Sequence, residues 1–513
     1  MSVAATLVRN VVSSWMGFGV QVLITLLLTP CIIEGVGLEA YGIWLFLGSA
    51  VGYYGLVDMG LRAGITQCVT RQVASGDIEG LRRQLATYNP VMSILGCLVV
   101  LISLGVWQVL PHVIEVSQDQ LKFLGVTVIV QSIGIGIGIA MVPYAAVLVG
   151  LERYDLSEGS AILSRIISAL LIYIGIRLGG GLVALSIAYA LGNLFDSFLR
   201  FTLATKLLPG IRGIAWVIDR KDILGLIRNT YLNTIVQLSR QVIYFSSSII
   251  VGVLFTASAI PAYSIAASFV EYATKLLMVS TRVLFPTMVA IDEKGTKTQL
   301  LELYKLSSRL ATGFSLAIFI IGAVWIEPFL RLWLGSISGA DEIIQNAPII
   351  FAILGASTIA VAMQRSGAQL LLAKDAVGSL AKLMLMEALA TLSLSFGFGY
   401  LWGLKGVAIG TLVPSVLFSW LFYIPKHANI LRSKYSMLLG AMLFRPILFG
   451  FALFCLLILL KNFNWDLSDW FHFLITAGLS SALSLLISLP LLFTNQELRY
   501  GFQSFSRAKR LVS

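Results

Sequence analysis

Charge is the first thing this sequence lacks. Of 513 residues only 12% are Asp, Glu, Lys or Arg, while 58% are hydrophobic, and the mean hydropathy is +0.90. A water-soluble chain of this length needs far more polar surface. The apolar runs are continuous rather than alternating, which excludes a membrane β-barrel. Cysteine is scarce. Cys31, Cys68, Cys97 and Cys455 form no CxxC pair and read as small buried apolar side chains, not as a disulfide or metal framework. His112, His427 and His472 fall in separate loops or at a helix end, with no H-E-x-x-H spacing, so no metal site is expected. No Walker A run is present, which argues against an ATPase on this chain. The absence of an N-x-[ST] sequon points weakly to a bacterial source. No signal-peptide cleavage pattern follows the first apolar run, so that run is expected to remain a helix. No cofactor is expected, and nothing points to nucleic acid.

What is present is a series of hydrocarbon-length apolar segments from Val11 to Phe493. They predict an all-α polytopic membrane protein of about fourteen spans, each of roughly 20 residues. The predicted limits are 11–31, 41–64, 89–110, 123–148, 158–178, 182–204, 229–256, 263–283, 308–326, 346–373, 380–400, 406–424, 440–460 and 470–493. Lys and Arg crowd one set of connections, including Arg71, Arg82, Arg83, Arg220, Lys221 and Arg228, and the tail beyond 494. The opposite set holds only Lys122, Arg177, Arg331, Lys405 and Lys461. The positive-inside rule then places both termini in the cytoplasm, and the net charge of +11 mostly reflects topology. Trp107, Trp325, Trp333, Trp402, Trp465 and Trp470 fall near the outer span ends, as an interfacial belt requires. Segments 211–228 and 496–511 mix apolar and basic residues and read equally as surface amphipathic helices or as basic loops.

A repeat runs through the chain at one offset. "AYGI" at 40–43 returns as "AYSI" at 262–265, and "GLVALSIA" at 181–188 as "GLKGVAIG" at 403–410. "MVPYAAVLVG" at 141–150 pairs more weakly with "MQRSGAQLLL" at 363–372. All three matches share an offset of 222. They divide the chain into an N-lobe (1–208, helices 1–6), a C-lobe (209–430, helices 7–12) and two appended helices with a tail (431–513). Two six-helix lobes related by a pseudo-two-fold axis along the membrane normal are a transporter architecture. Gly48 and Gly52 form GxxxG, and "GIGIGIA" (134–140) holds Gly134, Gly136 and Gly138. Both are expected to permit close helix packing, with bending as the lesser reading for the second.

Several ionisable residues lie inside the predicted spans, where they are costly unless they face a bundle interior or a water-filled cavity. Asp58–Arg62, Asp196–Arg200 and Glu271–Lys275 are spaced i,i+4, so each pair shares a helix face. Arg165, Arg240 and Arg365 complete a set of six bases against three acids. A basic cavity suits an anionic substrate, and the planar fork of Arg suits phosphate. The substrate-binding candidates are therefore Arg240, Arg365, Arg62, Arg165, Lys275 and Arg200. Asp58, Asp196 and Glu271 are candidates for gating or ion coupling. Snorkelling of Arg62 and Arg200, and plain helix-surface ion pairing, are the structural alternatives.

"GLEAYGIWLFLGSAVGYYGLVDMGLR" (37–62), followed by "VTRQVASGDIEGLRRQ", resembles the second helix and first cytoplasmic loop of bacterial O-antigen flippases. "EPFLRLWLG" (327–335) and "GLKGVAIGTLV" (403–413) resemble that family too. It is the polysaccharide transporter branch of the multidrug, oligosaccharidyl-lipid and polysaccharide exporter superfamily. The resemblance implies a bacterial inner-membrane transporter that moves an undecaprenyl-pyrophosphate-linked glycan to the outer leaflet by alternating access. It implies basic cavity residues holding pyrophosphate or acidic sugars, and no catalytic residue. The partners it implies are a coupling ion (H+ or Na+) and polysaccharide polymerase and chain-length machinery. Relatives often carry an acid in the seventh helix, where this chain reads "FSSSIIVG" around Ser247, so that role does not carry over. Two rivals remain. A drug/cation antiporter of the same superfamily should have an acidic cavity. A membrane glycan polymerase should have a large outer loop, whereas the longest outer connection here, 327–345, is short.

Overall fold

The structure is a computed structural model. It describes residues 3–493 apart from 55, 115, 215, 218, 283–296, 374–375, 464–466 and 468, and within some helices, including 51–60, the backbone alone. Helices dominate because no other arrangement satisfies backbone amides within one apolar segment. Among the described residues nine α-helices precede residue 255: α1 (Val3–Val36), α2 (Leu38–Tyr54), α3 (Leu56–Ser75), α4 (Ile78–Val113), α5 (Gln118–Ala140), α6 (Val142–Gly150), α7 (Tyr154–Arg177), α8 (Gly181–Leu207) and α9 (Arg220–Leu254). Seven more among the described residues follow: α10 (Ile260–Arg282), α11 (Lys297–Leu334), α12 (Asp341–Ala373), α13 (Val377–Phe418), α14 (Ile424–Leu431), α15 (Tyr435–Lys461) and α16 (Trp470–Ser488).

Ten helical stretches among the described residues are long and apolar enough to cross a membrane. One of them, Val377–Leu431, is broken at Trp402 and Gly403. Eleven of the predicted segments fall wholly or mostly on these ten stretches, whereas 41–64, 229–256 and 263–283 fall on α2, α3, α9 and α10, which are not among the ten. The second spreads over α2 and α3, the fourth over α5 and α6, and the eleventh and twelfth lie on either side of the break in α13.

Polar residues mark where the chain turns. The Asp77 carboxylate accepts from the Gly80 amide at 2.8 Å to open α4, and Asp219 accepts from the Lys221 amide at 2.8 Å to open α9. Asp469 caps α16 by accepting from the His472 amide at 2.8 Å, and that backbone N–H holds its carboxyl below the usual carboxylate range. Such caps satisfy amides that a helix start leaves without partners.

The chain forms two compact units. The first comprises Met1–Pro261 with Ile337–Gly339, and the second Ala262–Ser336 with Ala340–Ser513. In the first, α7 packs between α1 and α8, α5 between α4 and α8, and α9 lies on α2 and α3. In the second, α11 packs on α12 and α15, α12 on α13, and α15 on α16.

The repeat has a local structural counterpart. Ala40, Tyr41 and Ile43 are buried at the start of α2, and Ala262, Tyr263 and Ile265 are buried at the start of α10. Gly181 (φ 54°) opens α8 and Gly403 (φ 68°) opens the second half of α13, both in left-handed backbone that favours glycine. A hairpin of two apolar helices needs such a residue to reverse direction within a few positions.

Several expectations are corrected. A Cβ at Gly96 would fall 2.3 Å from the Gly136 carbonyl oxygen, and one at Gly134 would fall 2.7 Å from the Ala190 Cα. A Cβ at Gly136 would in turn fall 2.6 Å from the Gly96 carbonyl oxygen, so close packing accounts for Gly134 and Gly136 of "GIGIGIA", while Gly138 meets nothing within 4 Å among the described residues. Gly48 also meets nothing nearby, so it mediates no close approach, and the surroundings of Gly52 lie outside the described residues. The four cysteines are free, but none is fully buried and Cys97 is exposed, because α4 turns that face outward. His427 is fully buried rather than in a loop, since a π-helical turn at Ser419–Tyr423 carries the helix on into α14. Trp325 is buried against Phe473, with the Lys461 Nζ 6.0 Å from its ring centroid. Trp107, Trp402 and Trp470 are exposed as a belt requires, while Trp465 lies outside the described residues.

A close glycine contact in the second unit's helical hairpin gives a stability test. A Cβ at Gly410 would fall 2.2 Å from the Ser395 Cα, whereas one at Gly397 would meet nothing within 4 Å. Gly410→Ala should cost about 1–3 kcal/mol through overpacking and lower the thermal unfolding midpoint in detergent. Gly397→Ala should leave the midpoint unchanged or raised.

Candidate functional site

The charges of the first unit gather along α7. Its N-terminal half reads "YDLSEGSAILSR", and the three- and four-residue spacing of Ser157, Ser160 and Ser164 puts them on one stripe. That stripe meets α8. The Arg200 Nε donates to both Asp196 carboxylate oxygens at 2.9 and 2.8 Å. Its Nη1 donates to the Ser157 hydroxyl at 3.1 Å and its Nη2 to the Ser157 carbonyl at 3.3 Å. The Ser160 hydroxyl donates to Asp196 Oδ1 at 2.8 Å, and the Ser164 hydroxyl to the Gly192 carbonyl at 2.6 Å. Arg200 and Asp196 side chains are only 20% and 25% exposed. An anionic ligand can engage Arg200 only by competing with a bidentate carboxylate and a neighbouring helix.

A second face of α7 meets α1. The Arg165 Nη1 donates to the Gly17 carbonyl at 3.2 Å, and the Glu158 carboxylate lies 2.7 Å from where a Cβ at Gly17 would stand. Glycine at 17 thus makes room for an acid between the helices. At the start of α7, Arg153 grips Asp155 with two bonds of 3.0 Å. The Arg9 Nε is 3.6 Å from the same carboxylate, and its Nη2 donates to the Glu152 carbonyl at 3.2 Å.

The other candidates of this unit sit apart from that ladder. Arg62 is exposed on α3, with its carbonyl accepting from the Thr66 hydroxyl at 2.8 Å. The Asp58 side chain lies outside the described residues, and the Asp58–Arg62 pair with it. Arg240 is half-buried in α9 between Ser239 and Gln241, which are both buried. It has no hydrogen-bond or ion-pair partner among the described residues. Roughly two turns further along, Ser246, Ser247 and Ser248 are buried, and the Ser246 hydroxyl donates to the Val242 carbonyl.

In the second unit, Lys275 binds Glu271 at 2.8 Å on α10 and sits 5.8 Å from the Tyr272 ring centroid. Both are about two-fifths exposed. Arg365 is half-buried on α12, flanked by the buried Gln364 and Ser366. The described contacts thus bring two of the candidate pairs together, Asp196–Arg200 and Glu271–Lys275.

Sequence reasoning passed over Glu158, Arg309, Glu387 and His427. Glu387 is 2% exposed on α13 and accepts from the Tyr423 hydroxyl at 3.2 Å. His427 is 0% exposed, and its Nδ1 is 3.0 Å from the Tyr304 hydroxyl. Arg309 is buried on α11 one turn from Tyr304. Glu387 had a visible signal, an acid inside the apolar run "LMLMEALATL". His427 had none, because the sequence does not disclose the π-helical turn that buries it.

No family model matches the chain, and no curated protein matches it by sequence. Solved structures do match in fold. A multidrug resistance MATE family transporter of the MOP superfamily, inward-facing, superposes with a TM-score of 0.65 at 15% identity, covering 81% of this chain and 96% of that one. The lipid II flippase MurJ, in an inward closed conformation, gives 0.64 at 13% identity and covers 94% and 98%. A MOP superfamily transporter from Pyrococcus furiosus, described as having reversed binding-pocket polarity, gives 0.58 at 17% identity and covers 84% and 96%. The chain has the fold of MOP superfamily transporters.

The α7–α8 ladder predicts strong coupling in stability. Arg200→Ala leaves a partly buried carboxylate with Ser160 alone and should cost about 1.5–3 kcal/mol. Asp196→Ala should cost less, because Arg200 keeps both bonds to Ser157. A double-mutant cycle of thermal unfolding should show a non-additive term above about 0.5 kcal/mol, and additive losses would remove the ladder as a stabilising unit.

Proposed function

We propose that this chain is a flippase that moves an undecaprenyl-pyrophosphate-linked glycan across the bacterial inner membrane for surface polysaccharide synthesis. The observation that carries the reading is Arg240. A half-buried guanidinium with no partner among the described residues is expensive within a membrane, and a ligand phosphate able to take two of its hydrogen bonds offsets that cost. The lipid II flippase likeness supports the same class, because it extends over 94% of the chain against 81% for the multidrug transporter. In this reading fourteen spans form two six-helix lobes, 1–208 and 209–430, with two appended helices in 431–513. Arg240, Arg365, Arg62, Arg165, Lys275 and Arg200 are the cations available to the head group, and Asp58, Asp196 and Glu271 serve gating or ion coupling. A glycan cannot cross hydrocarbon unaided, since each desolvated hydroxyl costs kcal/mol. The protein shields the head group while the lipid tail stays in the bilayer, and rocking of the lobes exposes it on the other side. No covalent chemistry is needed. Coupling to H+ or Na+, and assembly with polymerase and chain-length machinery, belong to the same proposal.

A second reading, a drug or cation antiporter, is favoured by one observation. The buried acid Glu387 has a hydroxyl as its recorded partner rather than a cation, and the multidrug transporter shares the fold equally well. Proteoliposomes loaded with a fluorescent lipid-linked oligosaccharide separate the readings. Flipping by the wild type supports the first, and cation-driven drug efflux without flipping supports the second.

Within the first reading, Arg240→Ala should reduce flipping at least about tenfold, the loss of about 1.4 kcal/mol of phosphate binding. Arg240→Lys should recover part of it, because a point charge lacks the two-pronged geometry. Unchanged flipping by the alanine variant would remove Arg240 from the path.

The orientation has its own test. Reporters fused after Gly76 and Lys297 should read cytoplasmic and one after Gly339 external, as the Lys/Arg asymmetry requires. A cytoplasmic reading at Gly339 reverses the topology.

A further inference from the structure

The second unit holds an acid that the proposed glycan path does not use. Glu387 lies ten residues into α13, roughly 15 Å along the helix axis at 1.5 Å per residue, near the middle of a hydrocarbon layer of about 30 Å. It is 2% exposed, and its one recorded partner among the described residues is the Tyr423 hydroxyl at 3.2 Å. Among the described residues, an ionised carboxylate at such a place would face one neutral donor and no cation, which is far costlier than a neutral carboxyl group.

Three further features single out this spot. Tyr423 reaches Glu387 from a π-helical turn, Ser419–Tyr423, a rare local geometry that recurs at functional sites. One turn on, the fully buried His427 has its ring centroid 6.3 Å from that of Tyr423, and its Nδ1 is 3.0 Å from the Tyr304 hydroxyl. His427 Nε2 is buried without a hydrogen-bond partner among the described residues. Gly367 of α12 makes room for this imidazole, since a Cβ there would fall 1.9 Å from its ring. Glu387, Tyr423, His427 and Tyr304 thus form a polar file within the second unit. The charged neighbours are Lys426, adjacent to His427 in the chain, and Arg365, two residues before Gly367. Glu387 also stands 222 residues after Arg165, the repeat offset, so the two units carry opposite charge types at corresponding positions.

We propose that Glu387 is a proton-binding site that couples the transport cycle to a pH gradient. In the described state its carboxyl carries the proton. In the alternate state, with water admitted, the O–H bond breaks, the proton passes to water, and the carboxylate remains until it takes up a proton from the other side. Tyr423 positions the carboxyl group, and the Tyr304–His427 bond holds the helix turn that carries Tyr423. The inference rests on the chain being a transporter but not on the identity of its cargo.

Infrared spectroscopy of the protein in lipid nanodiscs, without cargo, tests the site directly. The wild type at neutral pH should show a protonated-carboxyl C=O band that Glu387→Gln lacks, that Tyr423→Phe shifts, and that alkaline titration removes. Glu387→Asp should restore a displaced band, which guards against misfolding of the Gln variant. Identical carboxyl regions in the wild type and Glu387→Gln at every pH overturn the proposal. In proteoliposomes, an imposed pH gradient should stimulate wild-type transport severalfold and Glu387→Gln not at all, and stimulation retained by Glu387→Gln also overturns it. If lipid-linked oligosaccharide is not flipped by either protein, the flippase reading fails while the infrared result still decides the proton site.

Discussion

Within hydrocarbon, a polar group without a partner costs several kcal/mol, and nearly every feature of this chain follows from that constraint. The backbone resolves it by forming helices. Asp77, Asp219 and Asp469 resolve it at helix starts, where amides would otherwise lack acceptors. Serines resolve it within spans by donating to carbonyls one turn back, as Ser103 does to Val99 at 2.8 Å. The charged residues resolve it collectively. Arg200 is matched against Asp196 and Ser157, Asp155 against Arg153 and Arg9, and Arg165 against a helix carbonyl. Arg240 on α9 is a half-buried charge for which no such match is found among the described residues.

Matching at these distances requires helices to approach closely, which explains the distribution of small residues. Gly17 leaves room for Glu158, Gly192 for the α7 serine stripe, and Gly367 for His427. At each position the missing side chain is replaced by a polar or aromatic group from the neighbouring helix. The glycine content of 46 residues thus belongs to the same solution as the buried charges. Gly181 and Gly403 serve a different purpose, reversing the chain between paired helices at corresponding points of the repeat.

The two units share this plan and differ in chemistry. The first concentrates ion pairs between α1, α7 and α8. The second buries an acid, a histidine and two tyrosines between α11, α13 and the turn into α14, and at the other end of α11 it holds an aromatic group in which Phe329 contacts Phe269, Trp333 and Trp470. Arg165 and Glu387 occupy corresponding places in the repeat with opposite charge. Divergence of a few charged positions within a shared packing scheme gives the two units different polar chemistry.

The membrane class, the helical fold, the approximate helix positions and the repeat were legible in the sequence. Long apolar runs, glycine turns and a constant offset are local signals, read without knowing what packs on what. The i,i+4 pairs Asp196–Arg200 and Glu271–Lys275 were legible for the same reason, since one helix sets their spacing. What the pairs touch was not. That Ser157 of α7 completes the Arg200 site depends on how α7 and α8 lie against each other, and no spacing within either helix encodes that. Gly48 looked like a packing glycine and faces open space, while Gly367 drew no notice and cradles a histidine. His427 looked like a loop residue because a π-helical turn leaves no mark on hydropathy. Pattern along the chain determined which segments are helices, and only packing between them decided which charges are neutralised, which stay available, and which acid is sealed from water.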